Sequence, residues 1–364
     1  MRLIPMPFAF APLTLENFVE ALLAESGFVL LLAAGSLFLP GRLHPGAPGP
    51  NGQRQTYKLN GLLLFALILG GALLAQWSGA VWLATIPPQL PASLLAANLL
   101  AFSASAMLVI RSRNRGRYLL ADFFYGREAN PSWFGLDFKM FSYRPSLIGL
   151  GLIDISLAAL QVAVHGRLSP RMALYQVLCL VYLANYFQFE YGMLFTWDVL
   201  AEKFGWMLIW GDFVFVPFFY SLPGWDLVNN FDPISPAAEI AILLLYSAGF
   251  AVFRGANQQK HRFKQDPQAR IWGRPARALE GRLLISGFWG IGRKLNYTGE
   301  LCMYWAWTLL CGFHSFVPFL VPLWLTFFLP HRARRDEKRC RAKYGELWRA
   351  YCEKVRFRMF PFVY

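Results

Sequence analysis

Three clusters of basic residues in the last third of the chain carry the residue types that hold phosphate. NQQKHRFKQDP supplies Lys260, His261, Arg262 and Lys264, with Lys260 and Lys264 one helical turn apart. GRKLNY supplies Arg293 and Lys294 beside Asn296 and Tyr297, and HRARRDEKRC supplies Arg332, Arg335 and Asp336. Arginine offers a planar fork and lysine a point charge, and both grip phosphate oxygens by charge-assisted hydrogen bonds. Charge that only meets lipid headgroups would have the same composition. The aromatic and amide residues interleaved with these cations set them apart: Trp289, Asn296, Tyr297, Tyr344, Trp348 and Tyr351 are what the rings and ribose of a nucleotide need. Gly287, Gly290 and Gly292 run GxxGxG rather than GxGxxG and follow no strand, which excludes a Rossmann domain. A nucleotide here must be held by membrane helices and their ends.

The elements that position these residues follow from composition. Of 364 residues 56 % are apolar, 17 % aromatic and only 15 % charged, a balance that belongs to a polytopic membrane protein. The 35 Lys and Arg against 21 Asp and Glu sit in loops between apolar spans, so they read as topology signals and headgroup contacts rather than as a nucleic-acid surface. The five cysteines show neither CxxC nor regular spacing, which argues against a disulfide framework or a zinc site. The first apolar segment, up to Phe38, follows the acidic pair Glu16 and Glu20 with no cleavage pattern, so it reads as a span and not a signal peptide.

A helix needs roughly 20 apolar residues to cross the hydrocarbon core. Such runs lie near 17–39, 59–78, 91–110, 146–164, 172–190, 204–222 and 236–253, with two packed into 299–330 and an incomplete tenth at 283–291. The expected fold is all-α, with about ten transmembrane helices in one membrane domain. Helices of 1–200 would precede a C-terminal half, 201–364, that forms the cofactor and substrate pockets. The basic loop at Arg42, Arg54 and Lys58, the uncharged Gln76 to Gln89, the basic Arg111 to Arg144, the acidic Leu222 to Pro236 and the basic Arg254 to Arg277 alternate as the positive-inside rule demands. The basic C-terminal stretch then lies inside if 299–330 crosses twice, with a break near Gly312 to Pro318. Arg167 and Arg171 fall on the wrong side of this scheme. Pro40 to Pro50, with Gly41, Gly46 and Gly49, reads as a loop.

Ionisable groups in spans are expensive and face a cavity or a partner. Asp154 and Glu190 read first as hydrogen-bonded to neighbouring helices. Asp212 reads as functional: it follows Gly211, precedes Pro217 and lies among Trp206, Trp210 and Tyr220, as in a kinked helix lining an aromatic pocket.

At this point the chain resembles a known family, the membrane sterol reductases that include delta-14 sterol reductase, 7-dehydrocholesterol reductase and the reductase portion of the lamin B receptor. The stretches that carry the resemblance are FFYGREANPSWFGLDFKMFSYRPSLIG, FTWDVLAEKFGWMLIWGDFVFVPFFYSL, NQQKHRFKQDP, LLISGFWGIGRKLNYTGEL and HRARRDEKRCRAKYGELWRAYCEKVRFRMFPFVY. The resemblance implies NADPH-dependent reduction of a sterol carbon-carbon double bond at a site facing the cytoplasm. It places the adenosine side and its 2'-phosphate on Lys260 and Lys264. It lines the pocket with Trp289, Arg293, Lys294, Asn296 and Tyr297, sets Arg332 and Asp336 at the pyrophosphate and nicotinamide half, and closes the wall with Tyr344 and Tyr351. An isolated alkene does not accept hydride until it is protonated, and the donor candidates are Tyr351, Asp336, Asp212 and Tyr182. Delta-14 is favoured over delta-7 as the bond reduced. Two rivals are an isoprenylcysteine carboxyl methyltransferase, whose C-terminal half is similar, and a receptor or scaffold role.

Overall fold

The computed structural model describes residues 9–48, 54–79, 82–114 and 116–363. The chain is an all-α polytopic membrane protein, and it divides at Phe231 and Asp232 into two compact units.

The first unit contains α1 (Leu15–Phe38), the hairpin β1 (Arg42–Pro48) and β2 (Arg54–Leu59), α2 (Gly61–Trp77), α3 (Ile86–Arg111) and α4 (Leu119–Tyr125). The small ladder β3 (Ser132–Trp133) and β4 (Leu136–Asp137) precedes α5 (Phe138–His165), α6 (Pro170–Gln188) and α7 (Trp197–Ala201). The short α8 (Trp206–Trp210) runs into a π-helical stretch, Gly211–Phe219, and is followed by α9 (Leu222–Leu227). Helix starts are set by side chains that accept from free backbone amides: Thr14 from Asn17, Asp137 from Met140 and Ser169 from Met172. α5 is the most buried of the unit's long apolar helices, with 61 % of its most apolar stretch buried against 17 % to 33 % for the others.

The second unit begins with α10 (Pro236–Gln265), capped by Ser235 with proline in the first turn. Two small ladders follow, β5 (Arg270–Ile271) with β6 (Arg274–Pro275) and β7 (Ala278–Leu279) with β8 (Leu283–Leu284). Trp272 and Gly273 both take positive φ, 51° and 76°, in the two-residue turn of the first ladder. Then come α11 (Phe288–Ile291), α12 (Leu295–Leu309), α13 (Leu320–Tyr344) and α14 (Glu346–Lys354). α10 and α12 approach through glycine. A Cβ on Gly299 would sit 2.5 Å from both the Gly249 oxygen and the Phe253 nitrogen, and one on Gly249 would sit 2.7 Å from the Gly299 oxygen.

Five helices among the described residues are long and apolar enough to cross a membrane: Leu15–Phe38, Leu83–Arg111, Phe138–His165, Trp206–Leu227 and Pro236–Gln265, with Gly61–Trp77 shorter. The chain breaks between α12 and α13 around Gly312, at φ 73°, and the short helical turn Val317–Phe319. Three expectations are corrected. The apolar piece 283–291 is no span, because its residues go to β8 and the four-residue α11. The glycine- and proline-rich Pro40 to Pro50 is largely strand: β1 pairs antiparallel with β2, shifting register between Pro45 and Pro48, while Gly49 and Pro50 lie outside the described residues. Arg254 to Gln265 is not loop but the last turns of α10, which stops only at Asp266, before Pro267.

The buried carboxylates of the first unit are held by its own helices. Asp154 accepts from the Tyr175 hydroxyl at 2.8 Å. Glu190 takes the Arg144 guanidinium at 2.8 Å, the Gly61 amide at 2.9 Å and the Tyr143 hydroxyl.

Candidate functional site

All of the proposed phosphate-binding and aromatic residues belong to the second unit, and side-chain contacts join most of them into one chain. α10 carries Lys260 and Lys264 on its final turns. The Lys260 ammonium stands 4.9 Å from the centre of the Trp289 ring, and Lys264 donates to the Arg282 carbonyl at 3.3 Å. Trp289 is buried on α11, where its indole N–H donates to the Ala256 carbonyl at 2.8 Å and so fixes which face meets the lysine. The Tyr351 hydroxyl on α14 donates to the Trp289 carbonyl at 3.2 Å. From Tyr351 the aromatic wall runs to Trp348 at 5.1 Å and on to Tyr344 at 6.5 Å, and the Arg282 guanidinium lies 5.2 Å from the Tyr344 ring.

The other side of the site is built where α12 starts. Lys294, buried, pairs with the Asp336 carboxylate of α13 and lies 5.9 Å from the Tyr297 ring centre. Asn296 donates its amide to Asn257 Oδ1 at 3.3 Å, and among the described residues its own Oδ1 is a buried acceptor with no hydrogen-bond partner. An orphaned acceptor of this kind fits a ribose hydroxyl or a carboxamide N–H. Arg332 lies one turn before Asp336 on α13, half-buried, with its guanidinium 5.9 Å from the Phe328 ring.

Arg293 is placed differently. Its guanidinium is buried against Glu337 at 2.8 Å and donates to the Val355 and Arg356 carbonyls, so its donors serve the fold and not the open side of the site.

Burial pushes the Lys294 ammonium down, to about 7. Lys260 adds to the effect, Cys340 and Glu337 oppose it, and Arg332 reinforces it. Burial also pushes the Tyr351 hydroxyl well above the usual phenol range, so it stays protonated.

Asp212 and Tyr182 belong to the first unit. Asp212 accepts from the Ser142 hydroxyl at the start of the π-helical stretch, and the Tyr182 ring packs against Tyr186 at 4.8 Å. The aromatic residues around Asp212 are as expected, with Trp206 and Trp210 5.7 Å apart, and the helix there is π-helical over Gly211–Phe219 with Pro217 inside it. Asn257, Arg282 and Glu337 were missed as contributors. Asn257 was legible, since it precedes Lys260 by three residues on one helix and so shares its face. Arg282 has no local signal.

The model of the ergosterol biosynthesis ERG4/ERG24 family matches residues 20–364. The chain is 36 % identical over 348 residues to a Delta(14)-sterol reductase of Arabidopsis thaliana, covering 93 % of this chain and 94 % of the relative. It is 37 % identical to a Delta(14)-sterol reductase of Methylotuvimicrobium alcaliphilum, over 91 % of this chain and 80 % of the relative. With a 7-dehydrocholesterol reductase of Xenopus laevis the identity is 34 %, over 89 % of this chain and 76 % of the relative.

Proposed function

The chain belongs to the ergosterol biosynthesis ERG4/ERG24 family, and from that premise we propose that it reduces the delta-14 double bond of a sterol with NADPH, bound from the cytoplasmic side. The observation that carries the cofactor assignment is the juxtaposition of Lys260 on Trp289 with the open acceptor of Asn296 and the Lys294 to Asp336 pair. Lys260, Lys264 and Arg332 would take the phosphates. Trp289, Tyr297 and Tyr344 would bound the rings, and Asn296 would accept from the ribose or carboxamide. When bound, NADPH supplies the hydride.

The proton must come from the protein. Of the two candidates in this unit, Tyr351 is committed to the Trp289 carbonyl and made a weaker acid by burial. The Lys294 ammonium beside Asp336 carries a proton that comes off near neutrality, and Asp336, in contact with it, can take that proton up and hand it on. Asp336 is therefore our choice of the two. The wall of buried Trp289, Trp348 and Tyr351 keeps water from the cofactor side.

The test is purified protein with NADPH and sterol dienes unsaturated at delta-14, delta-7 and delta-24, compared by mass spectrometry of the products. Loss of the delta-14 bond is the expected result. Preferential loss of the delta-7 bond would favour the second reading, which rests on the 7-dehydrocholesterol reductase relative. No reduction of any diene would overturn the proposal.

A further inference from the structure

Two consecutive acids of α13 grip two consecutive bases of the turn that leads into α12. Asp336 takes Lys294, and Glu337 takes Arg293. Glu337 does more than its neighbour. It is buried, its Oε1 accepts from Arg293 Nε at 2.9 Å and Nη2 at 2.8 Å, and its Oε2 accepts from Arg358 Nε at 2.6 Å. One carboxylate therefore joins α13, the turn before α12 and the stretch that follows α14.

That last stretch is stitched by five successive carbonyls, four to the same turn and one to the first turn of α12. Val355 and Arg356 accept from the Arg293 guanidinium, Phe357 from the Arg293 amide at 3.0 Å, Arg358 from the Lys294 amide at 2.7 Å and Met359 from the Thr298 hydroxyl at 2.6 Å. The backbone of Lys294 is thus fixed by Arg358, and Arg358 is fixed by Glu337.

We propose that Glu337 is a positioning residue for the cofactor: by clamping Arg293 and Arg358 it holds the 355–359 stretch against the turn and so aims Lys294 and Asn296 at the dinucleotide. This rests on the NADPH reading above. A carboxylate with both oxygens occupied by guanidinium groups touches no ligand, so its effect must pass through the residues it holds.

The experiment compares wild type, Glu337→Gln and Arg358→Ala in NADPH titration, steady-state kinetics and hydrogen exchange. For Glu337→Gln we expect the KM for NADPH to rise about tenfold, kcat at saturating NADPH to stay within twofold and the KM for sterol to be unchanged. Exchange should quicken at residues 290–298 and not in α10. If Glu337→Gln leaves Arg293 uncompensated and does not fold, Arg358→Ala removes only the outer arm and should show the same split at about threefold. An unchanged KM for NADPH in the folded variants, or a fall in active fraction with exchange raised throughout, would overturn the positioning role. Failure of wild type to bind NADPH would instead overturn the cofactor reading and this proposal with it.

Discussion

Lys294 loses its proton at about 7, whereas an ordinary lysine keeps it to 10.5, and this gives the site opposite responses to pH with and without its ligand. In the unfolded chain the amine is charged throughout that interval, so unfolding takes up a proton and the apoprotein gains stability as pH rises from about 7 towards 10.5. Below 7 the burial of the charge is costly in full. An anionic dinucleotide favours the ammonium, against Lys260 and Arg332 and with Asp336, Glu337 and Cys340 facing it. We therefore expect the Kd for NADPH to rise several-fold between pH 7 and pH 9 while the melting temperature of the apoprotein rises. Lys294→Gln should bind more weakly and without that slope; titrations at both pH values decide, and a flat wild-type profile would remove Lys294 from the cofactor pocket. For Asp336→Asn, single-turnover measurement should show kcat reduced by roughly 100-fold or more, the usual size of a lost acid or base. Its NADPH affinity should change by less than that; equal losses in both would make Asp336 a binding group only.

At the level of elements, the closeness of α10 and α12 aligns Lys260 with Asn296 and Lys294. Gly249 and Gly299 permit it, since a methyl on either would strike the partner backbone. Overpacking of this kind costs about 1 to 3 kcal/mol. Gly299→Ala should lower the melting temperature and weaken NADPH binding together, whereas Gly27→Ala, with nothing near its Cβ, should do neither. The long helices were legible because continuous apolar runs leave few alternatives, and so was the break after α12, since Gly312 and Pro318 punctuate it. The β1 to β2 hairpin was not legible: Pro45, Gly46 and Pro48 have loop composition, and its pairing depends on partners at Arg54 to Leu59 that local pattern does not name. The cations proposed for the phosphates and the aromatic residues beside them stand out in the sequence by residue type. Glu337 does not, because what distinguishes it is a pair of arginines 44 and 21 residues away.

On the scale of the whole molecule, the basic ends of α10 and α13, read by the positive-inside rule, are the reason the cofactor site is proposed to face the cytoplasm. Sealed vesicles of known orientation test this. NADPH added outside should support reduction when the cytoplasmic face is outward and not when it is inward; the reverse would invert the topology. α10 has a further consequence. Its 30 residues make a rod of about 45 Å, some 15 Å longer than the hydrocarbon core, and Lys260 and Lys264 ride on the projecting end. Membranes rich in sterol are a few Å thicker, the rise of about two residues. We expect its length to couple the site to bilayer thickness. As the bilayer thickens, Lys260 sinks towards the headgroups, and the KM for NADPH should climb with acyl-chain length in reconstituted bilayers held at constant sterol. A KM that ignores chain length would refute this. Because reduction turns one sterol into another and leaves the sterol content unchanged, such a response would follow the composition of the host membrane and not the turnover of the enzyme.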